Sequence, residues 1–101
     1  MMLIFDFSIP FSHPCLAGHF PGNAVVPGVI ILDEVMQGIA STYPSARIKN
    51  ISEVKFLNPL KPDILVHVNV TKKNEEVSNF TCETSECLIA KGSLRLQGAQ
   101  L

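Results

Sequence analysis

His19, Gly28 and Asp33 fall within one run, Gly18-His19-Phe20-Pro21-Gly22-Asn23-Ala24-Val25-Val26-Pro27-Gly28-Val29-Ile30-Ile31-Leu32-Asp33. Glycines and a proline stiffen the loop around His19, which suits an imidazole that must be held at a fixed angle. Gly28 stands where a helix is expected to begin, so a free backbone N–H and the positive end of the helix dipole face whatever lies beyond. Asp33 lies in an otherwise apolar helical segment, where desolvation is expected to raise its pKa and keep it available as a proton donor. A base, an oxyanion donor and an acid are the groups needed to remove a proton α to a carbonyl. Each residue also has a purely structural reading. A loop histidine can serve as a hydrogen-bond donor, Gly28 can permit close packing, Asp33 can pair with a buried backbone group, and Glu34 beside it can be the exposed neighbour.

The elements that must position these residues follow from the pattern of apolar residues and breakers. Residues 2–9 are rich in β-branched and aromatic types and stop at Pro10, which predicts a first strand. Pro10, Pro14, Gly18, Pro21, Gly22, Pro27 and Gly28 then punctuate a long loop, and loops of that length tend to be functional. From Val29 to about Thr42 the spacing predicts a helix. Its apolar residues Val29, Ile30, Ile31, Leu32, Val35, Met36, Ile39 and Ala40 run nearly all the way round, so burial on most sides is expected. Pro27 suits the first turn of that helix. Residues 46–57 read as a strand, and Val66, Val68 and Val70 alternate with His67 and Asn69 as a half-buried one. After the polar turn Lys72-Lys73-Asn74-Glu75-Glu76, two more strands are expected over Val77–Thr84 and Glu86–Gln97. The result is an α+β arrangement, one helix against a curved antiparallel sheet of about five to six strands. Such a sheet leaves an edge strand and apolar surface exposed, so a dimer formed through the edge, or a larger assembly, is expected.

With 101 residues the chain has room for a single domain, residues 1–101. A 47% hydrophobic and 17% charged composition is too apolar for a disordered segment. Net charge is −1 and no basic run is present, so nucleic acid is not an expected partner. The three cysteines, Cys15, Cys82 and Cys87, are odd in number and form no Cys-x-x-Cys pair, which argues against a disulfide framework or a zinc site. His13 has no carboxylate or thiol at ligand spacing and reads as a loop anchor. His67 is expected on the outer face of its strand, and a nucleophilic role for Cys15 is not needed for an elimination. No apolar stretch approaches the length of a membrane span. The opening Met1-Met2-Leu3-Ile4-Phe5 meets Asp6 with no basic segment before it, so a strand and a cytoplasmic location are expected.

The string His-Phe-Pro-Gly-x-x-x-x-Pro-Gly-Val-x-x-x-Asp, from His19 to Asp33, resembles the active-site motif of the 3-hydroxyacyl-acyl-carrier-protein dehydratases of the FabA/FabZ type. Gln37, one turn after Asp33, matches a glutamine common in that family. Val54-Lys55-Phe56-Leu57-Asn58-Pro59-Leu60-Lys61-Pro62 resembles its strand after the helix, so the likeness covers essentially the whole chain. The resemblance implies a hot-dog fold, active sites at a dimer interface, and elimination of water from a 3-hydroxyacyl thioester. It casts His19 as the base at C2, Asp33 as the acid at the C3 hydroxyl, and the Gly28 N–H as the donor to the thioester carbonyl. His19 and Asp33 of one site are then expected from different subunits. Phe20, Pro27, Val29, Gln37 and Phe56 are the expected substrate contacts, with Met36 and Phe56 in either the core or an acyl tunnel. The implied substrate is carried on acyl carrier protein or CoA, with no metal, nucleotide or flavin. Arg47, Lys49, Lys55 and Lys61 are the basic residues available to an acidic carrier.

The chain departs from the family pattern at three points. Ala24 stands where a proline is usual, Asp63 follows Pro62 directly where Gly-Asp is usual, and little precedes the first strand. Short forms with Asp at position 33 resemble the dehydratases of aryl-polyene and related lipid pathways. A hot-dog acyl thioesterase and a non-catalytic acyl-thioester-binding subunit are the alternative functions.

Overall fold

A computed structural model describes residues 2–16 and 24–97 of the chain. The elements are β1 (Met2–Phe7), a short 3-10 turn (Pro14–Leu16), α1 (Gly28–Thr42), β2 (Arg47–Phe56), β3 (Val66–Lys72), β4 (Val77–Glu83) and β5 (Leu88–Gln97). All strand pairs are antiparallel, and the sheet order is β1-β3-β4-β5-β2. The two strands flanking the helix in sequence, β1 and β2, therefore form the two sheet edges.

The period-two pattern decides which face is covered. Val66, Val68 and Val70 are fully buried, as are Phe80 and Cys82 on β4 and Ala90 and Leu94 on β5. Between them His67, Asn69, Thr81 and Lys91 point to the other face. The register aligns Phe5, Val68, Cys82, Ala90 and Phe56 in one row across all five strands. The helix lies over this row, with Gly38 against the ring of Phe5 at one end and Gly28 against the ring of Phe56 at the other. From Gly28 to Gly38 a helix rises about 15 Å. Four strand spacings span about 19 Å, and curvature of the sheet brings its edges in to meet the helix.

Expected boundaries shift where local chemistry intervenes. β1 stops at Phe7, not at residue 9, although Ile9 is buried in the core. Pro27 is the N-cap residue with extended backbone, not part of the first turn, and its carbonyl accepts the Ile30 N–H at 3.0 Å. β5 begins at Leu88, since Thr84 Oγ1 accepts the backbone N–H groups of Glu86 and Cys87 and holds those residues in a turn. Likewise Asn74 Oδ1 accepts the N–H groups of Glu76 and Val77 and closes the β3–β4 hairpin.

The helix is less covered than its apolar circumference suggests. Its buried residues are Ile31, Val35 and Ile39, a single i, i+4, i+8 stripe. Val29 is 70% exposed, and Ile30 and Leu32 are half-buried. One sheet can cover one side of a helix, and among the described residues no second layer covers the other. β2 is similarly bare: Ile48, Ile51 and Val54 are half-buried and the rest of the strand is exposed. Two register shifts interrupt its pairing with β5, one of them at Glu53, whose φ of 56° marks a bulge. One helix on a curved five-stranded antiparallel sheet is the hot-dog arrangement.

Candidate active site

The start of α1 opens onto a cavity of about 400 Å³. Gly28 and Ile31 form its helix side, Val25 and Val26 its approach, and Phe56 with the segment Leu57–Leu60 its far wall. The walls are mostly hydrocarbon, which suits an acyl chain more than a charged ligand. Helical pairing begins with the Ile30 and Ile31 N–H groups, both directed at the Pro27 carbonyl. The Gly28 and Val29 N–H groups precede that pairing, at the positive end of the helix dipole.

Gly28 is needed here for packing. A Cβ at this position would stand 2.6 Å from Phe56 Cζ and 2.9 Å from both Cε atoms, closer than real contacts allow. The close-packing reading of Gly28 is thus met by the Phe56 ring. Phe56, left open between core and tunnel, is 51% exposed and lines the cavity, so it belongs to the cavity wall.

Asp33 is on a different face. It is exposed, and its Oδ2 accepts a hydrogen bond of 2.7 Å from Gln37 Nε2, one turn along. The burial expected for Asp33 is therefore not supplied by the described residues. Position 33 is about 200° round the helix from both Ile31 and Val35, opposite the buried stripe. Glu34, expected as the exposed neighbour, is the half-buried member of the pair. Pro27 and Val29, the sequence neighbours of Gly28, are exposed and do not line the cavity. His19 and Phe20 lie outside the described residues. The structure thus brings Gly28 and Phe56 together, and keeps Asp33 and Gln37 as a separate hydrogen-bonded pair on uncovered helix surface.

The other singled-out residues occupy structural positions. His67 Nδ1 lies 2.7 Å from Asp6 Oδ1 on the outer face, linking β3 to the edge strand β1. His13 anchors its loop through backbone bonds, its N–H to the Pro10 carbonyl and its carbonyl from the Leu16 N–H. Cys82 is buried in the core, and burial pushes its thiol from an ordinary value of 9.0 up to about 12. Cys87 is exposed in the β4–β5 turn. Lys55, one of the basic candidates, stands directly opposite Lys91 in the β2–β5 register. Among the described residues, no helix is long and apolar enough to cross a membrane.

Asp63 is the feature that spacing did not reveal. It replaces the usual Gly-Asp after Pro62 and adopts the left-handed conformation itself, with φ of 64°. Aspartate tolerates that region better than most side chains. Its N–H donates to the Ile9 carbonyl at 2.8 Å, and its Oδ1 accepts the Phe11 N–H at 3.2 Å. The turn is rebuilt around Asp63, not lost.

Comparisons with known proteins agree with this architecture. The family model for ApeI-like proteins, described as ApeI dehydratase, matches residues 2–93. The 3-hydroxyacyl-acyl-carrier-protein dehydratase FabZ of Ehrlichia canis is 28% identical over 102 residues, covering 86% of this chain and 69% of that protein. Its namesake in Bartonella bacilliformis is 35% identical over 86 residues, covering 74% of this chain and 56% of that one. The chain thus spans between about half and two thirds of the length of these curated relatives. In fold it is similar to a chain of the dehydratase heterocomplex ApeI:P from Xenorhabdus doucetiae. The TM-score is 0.79 at 22% identity, covering 94% of this chain and 86% of that one. Matched over nearly its full length, the chain belongs to the ApeI-like dehydratase family.

Proposed function

We propose that residues 1–101 act as a single hot-dog domain that dehydrates a 3-hydroxyacyl thioester, carried on acyl carrier protein, to the trans-2-enoyl thioester. The observation that carries this reading is the apolar cavity at the start of α1, lined by Gly28, whose N–H precedes the first helical pairing. There the N–H donates to the thioester carbonyl, which acidifies the C2 proton. His19 takes that proton, the C2–H electrons form the C2=C3 double bond, and the C3–O bond breaks. The departing hydroxyl takes a proton from Asp33 and leaves as water, so atoms and charges balance across the step.

The exposure of Asp33 and Val29, and the bare edge strand β2, support a site completed by a second copy of the chain. In a symmetric dimer the uncovered helix face meets the partner, and Asp33 is desolvated there as an acid requires. Gln37 holds the Asp33 carboxyl in one orientation. Val29, Pro27, Phe20 and Phe56 contact the acyl group, and Arg47, Lys49, Lys55 and Lys61 are the cations available to an acidic carrier. CoA thioesters share the reacting atoms and serve as test substrates.

The test is hydration of crotonyl thioesters and dehydration of 3-hydroxyacyl thioesters, followed by enoyl absorbance, for the wild type, His19→Ala and Asp33→Asn. Turnover abolished by either substitution supports the reading. Release of free thiol without change in the enoyl signal would make the protein a thioesterase, and bound thioester with neither reaction would make it a binding subunit.

A further inference from the structure

The segment Leu57–Asp63 both walls the cavity and holds the two ends of the long loop that carries His19. At one end, the Asp63 N–H donates to the Ile9 carbonyl at 2.8 Å, and the Asp63 carboxylate accepts the Phe11 N–H at 3.2 Å. At the other end, the Val26 N–H donates to the Leu60 carbonyl at 2.8 Å, two residues before Gly28. Leu60, Val26 and Ile9 are buried, so the two backbone anchors sit against the core, while the Asp63 carboxylate holds Phe11 at the surface. From Phe11 the chain continues through two turn bonds, His13 N–H to the Pro10 carbonyl at 2.9 Å and Leu16 N–H to the His13 carbonyl at 3.0 Å. His19 follows Leu16 in sequence and precedes the Val26 anchor.

We infer that Asp63 is a positioning residue for the reaction. Its left-handed backbone aims the N–H at Ile9, and its carboxylate fixes Phe11, so the described chain leading toward His19, residues 9–16, starts from a set point. The inference rests on the proposed dehydration with His19 as base. Asp63 performs two tasks that substitution can separate. Glycine keeps the φ of 64° without strain and removes the carboxylate anchor; asparagine tolerates the same φ and keeps an acceptor oxygen. A residue needed for stability alone would therefore be replaceable by glycine without loss of turnover.

The experiment measures kcat and KM for crotonyl-thioester hydration, together with Tm, for the wild type, Asp63→Gly and Asp63→Asn. Misplacement of a reacting group by a fraction of an ångström is expected to lower kcat of Asp63→Gly roughly tenfold. KM and Tm should stay near the wild-type values, and Asp63→Asn should restore most of kcat. A glycine variant as fast as the wild type, or an asparagine variant as slow as glycine, would overturn the positioning role while leaving the dehydration intact. A wild type with no turnover would overturn the proposed reaction and this inference with it.

Discussion

Phe56 turns the tip of its ring against the α-carbon of Gly28, so closely that a methyl group there would stand 2.6 Å from Cζ. The contact joins the edge strand β2 to the first residue of the helix and closes one side of the cavity. The same row of the sheet ends, on β1, in Phe5 packed against Gly38. Two glycines and two aromatic rings thus set how the helix sits across the sheet, and with it where the Gly28 N–H points.

Helix propensity alone would have Gly28→Ala stabilise the protein by less than the roughly 1 kcal/mol of a helix interior, since Gly28 is the first helical residue. Contact with Phe56 should reverse the sign and give a net loss of about 1 kcal/mol, with reduced turnover as the helix start shifts. Phe56→Ala should relieve much of that loss. Chemical denaturation of the two single variants and the double variant reads the coupling directly.

Gly38→Ala tests the other end of the row. Phe5 is half-buried against the core, so its ring has less room to move than that of Phe56. A destabilisation of about 2 kcal/mol is expected, read as a lower denaturation midpoint with an unchanged slope. Because Gly38 is distant from the cavity, turnover of the remaining folded protein should stay near wild type.

Burial of Cys82 carries a pH prediction. In the folded chain its thiol stays protonated to about pH 12, whereas in the unfolded chain it ionises near its ordinary value of 9.0. Between these values the unfolded state binds fewer protons, so this group makes stability fall as pH rises from about 9 toward 12. Below pH 9 it contributes no slope. Native protein should also alkylate at exposed Cys87 and spare Cys82, a difference that mass spectrometry resolves.

If each site takes His19 from one subunit and Asp33 from the other, two dead variants should rescue one another. Mixing His19→Ala with Asp33→Asn and allowing subunits to exchange should restore about a quarter of wild-type activity, since half the dimers are mixed and each holds one intact site. A mixture as inactive as its components would place both residues in the same subunit's site.

Local pattern made much of this legible. The valines at 66, 68 and 70 declare a strand with one buried face, and the run from Val29 to Thr42, with Gly38 its one breaker, declares the helix. Periodicity says which residues share a face but not what covers that face. The pattern therefore implies a helix buried on most sides, while the described residues cover the Ile31, Val35 and Ile39 stripe and leave Val29 and Asp33 exposed. The contacts between Gly28 and Phe56, and between Asp63 and Phe11, join residues far apart in sequence, which no local window registers. The sequence marks Asp63 only as a departure from Gly-Asp, because aspartate is a less obvious left-handed residue than the glycine usual there, and the φ of 64° shows that it takes over that backbone role.

The enoyl-absorbance assay of the wild type beside His19→Ala and Asp33→Asn bears most directly on the proposed elimination. Loss of a general base or acid should lower kcat by roughly a hundredfold to ten-thousandfold while the protein stays folded. Wild-type turnover that survives both substitutions would contradict the assigned roles, and a folded wild type that never forms or consumes the enoyl thioester would contradict the reaction itself.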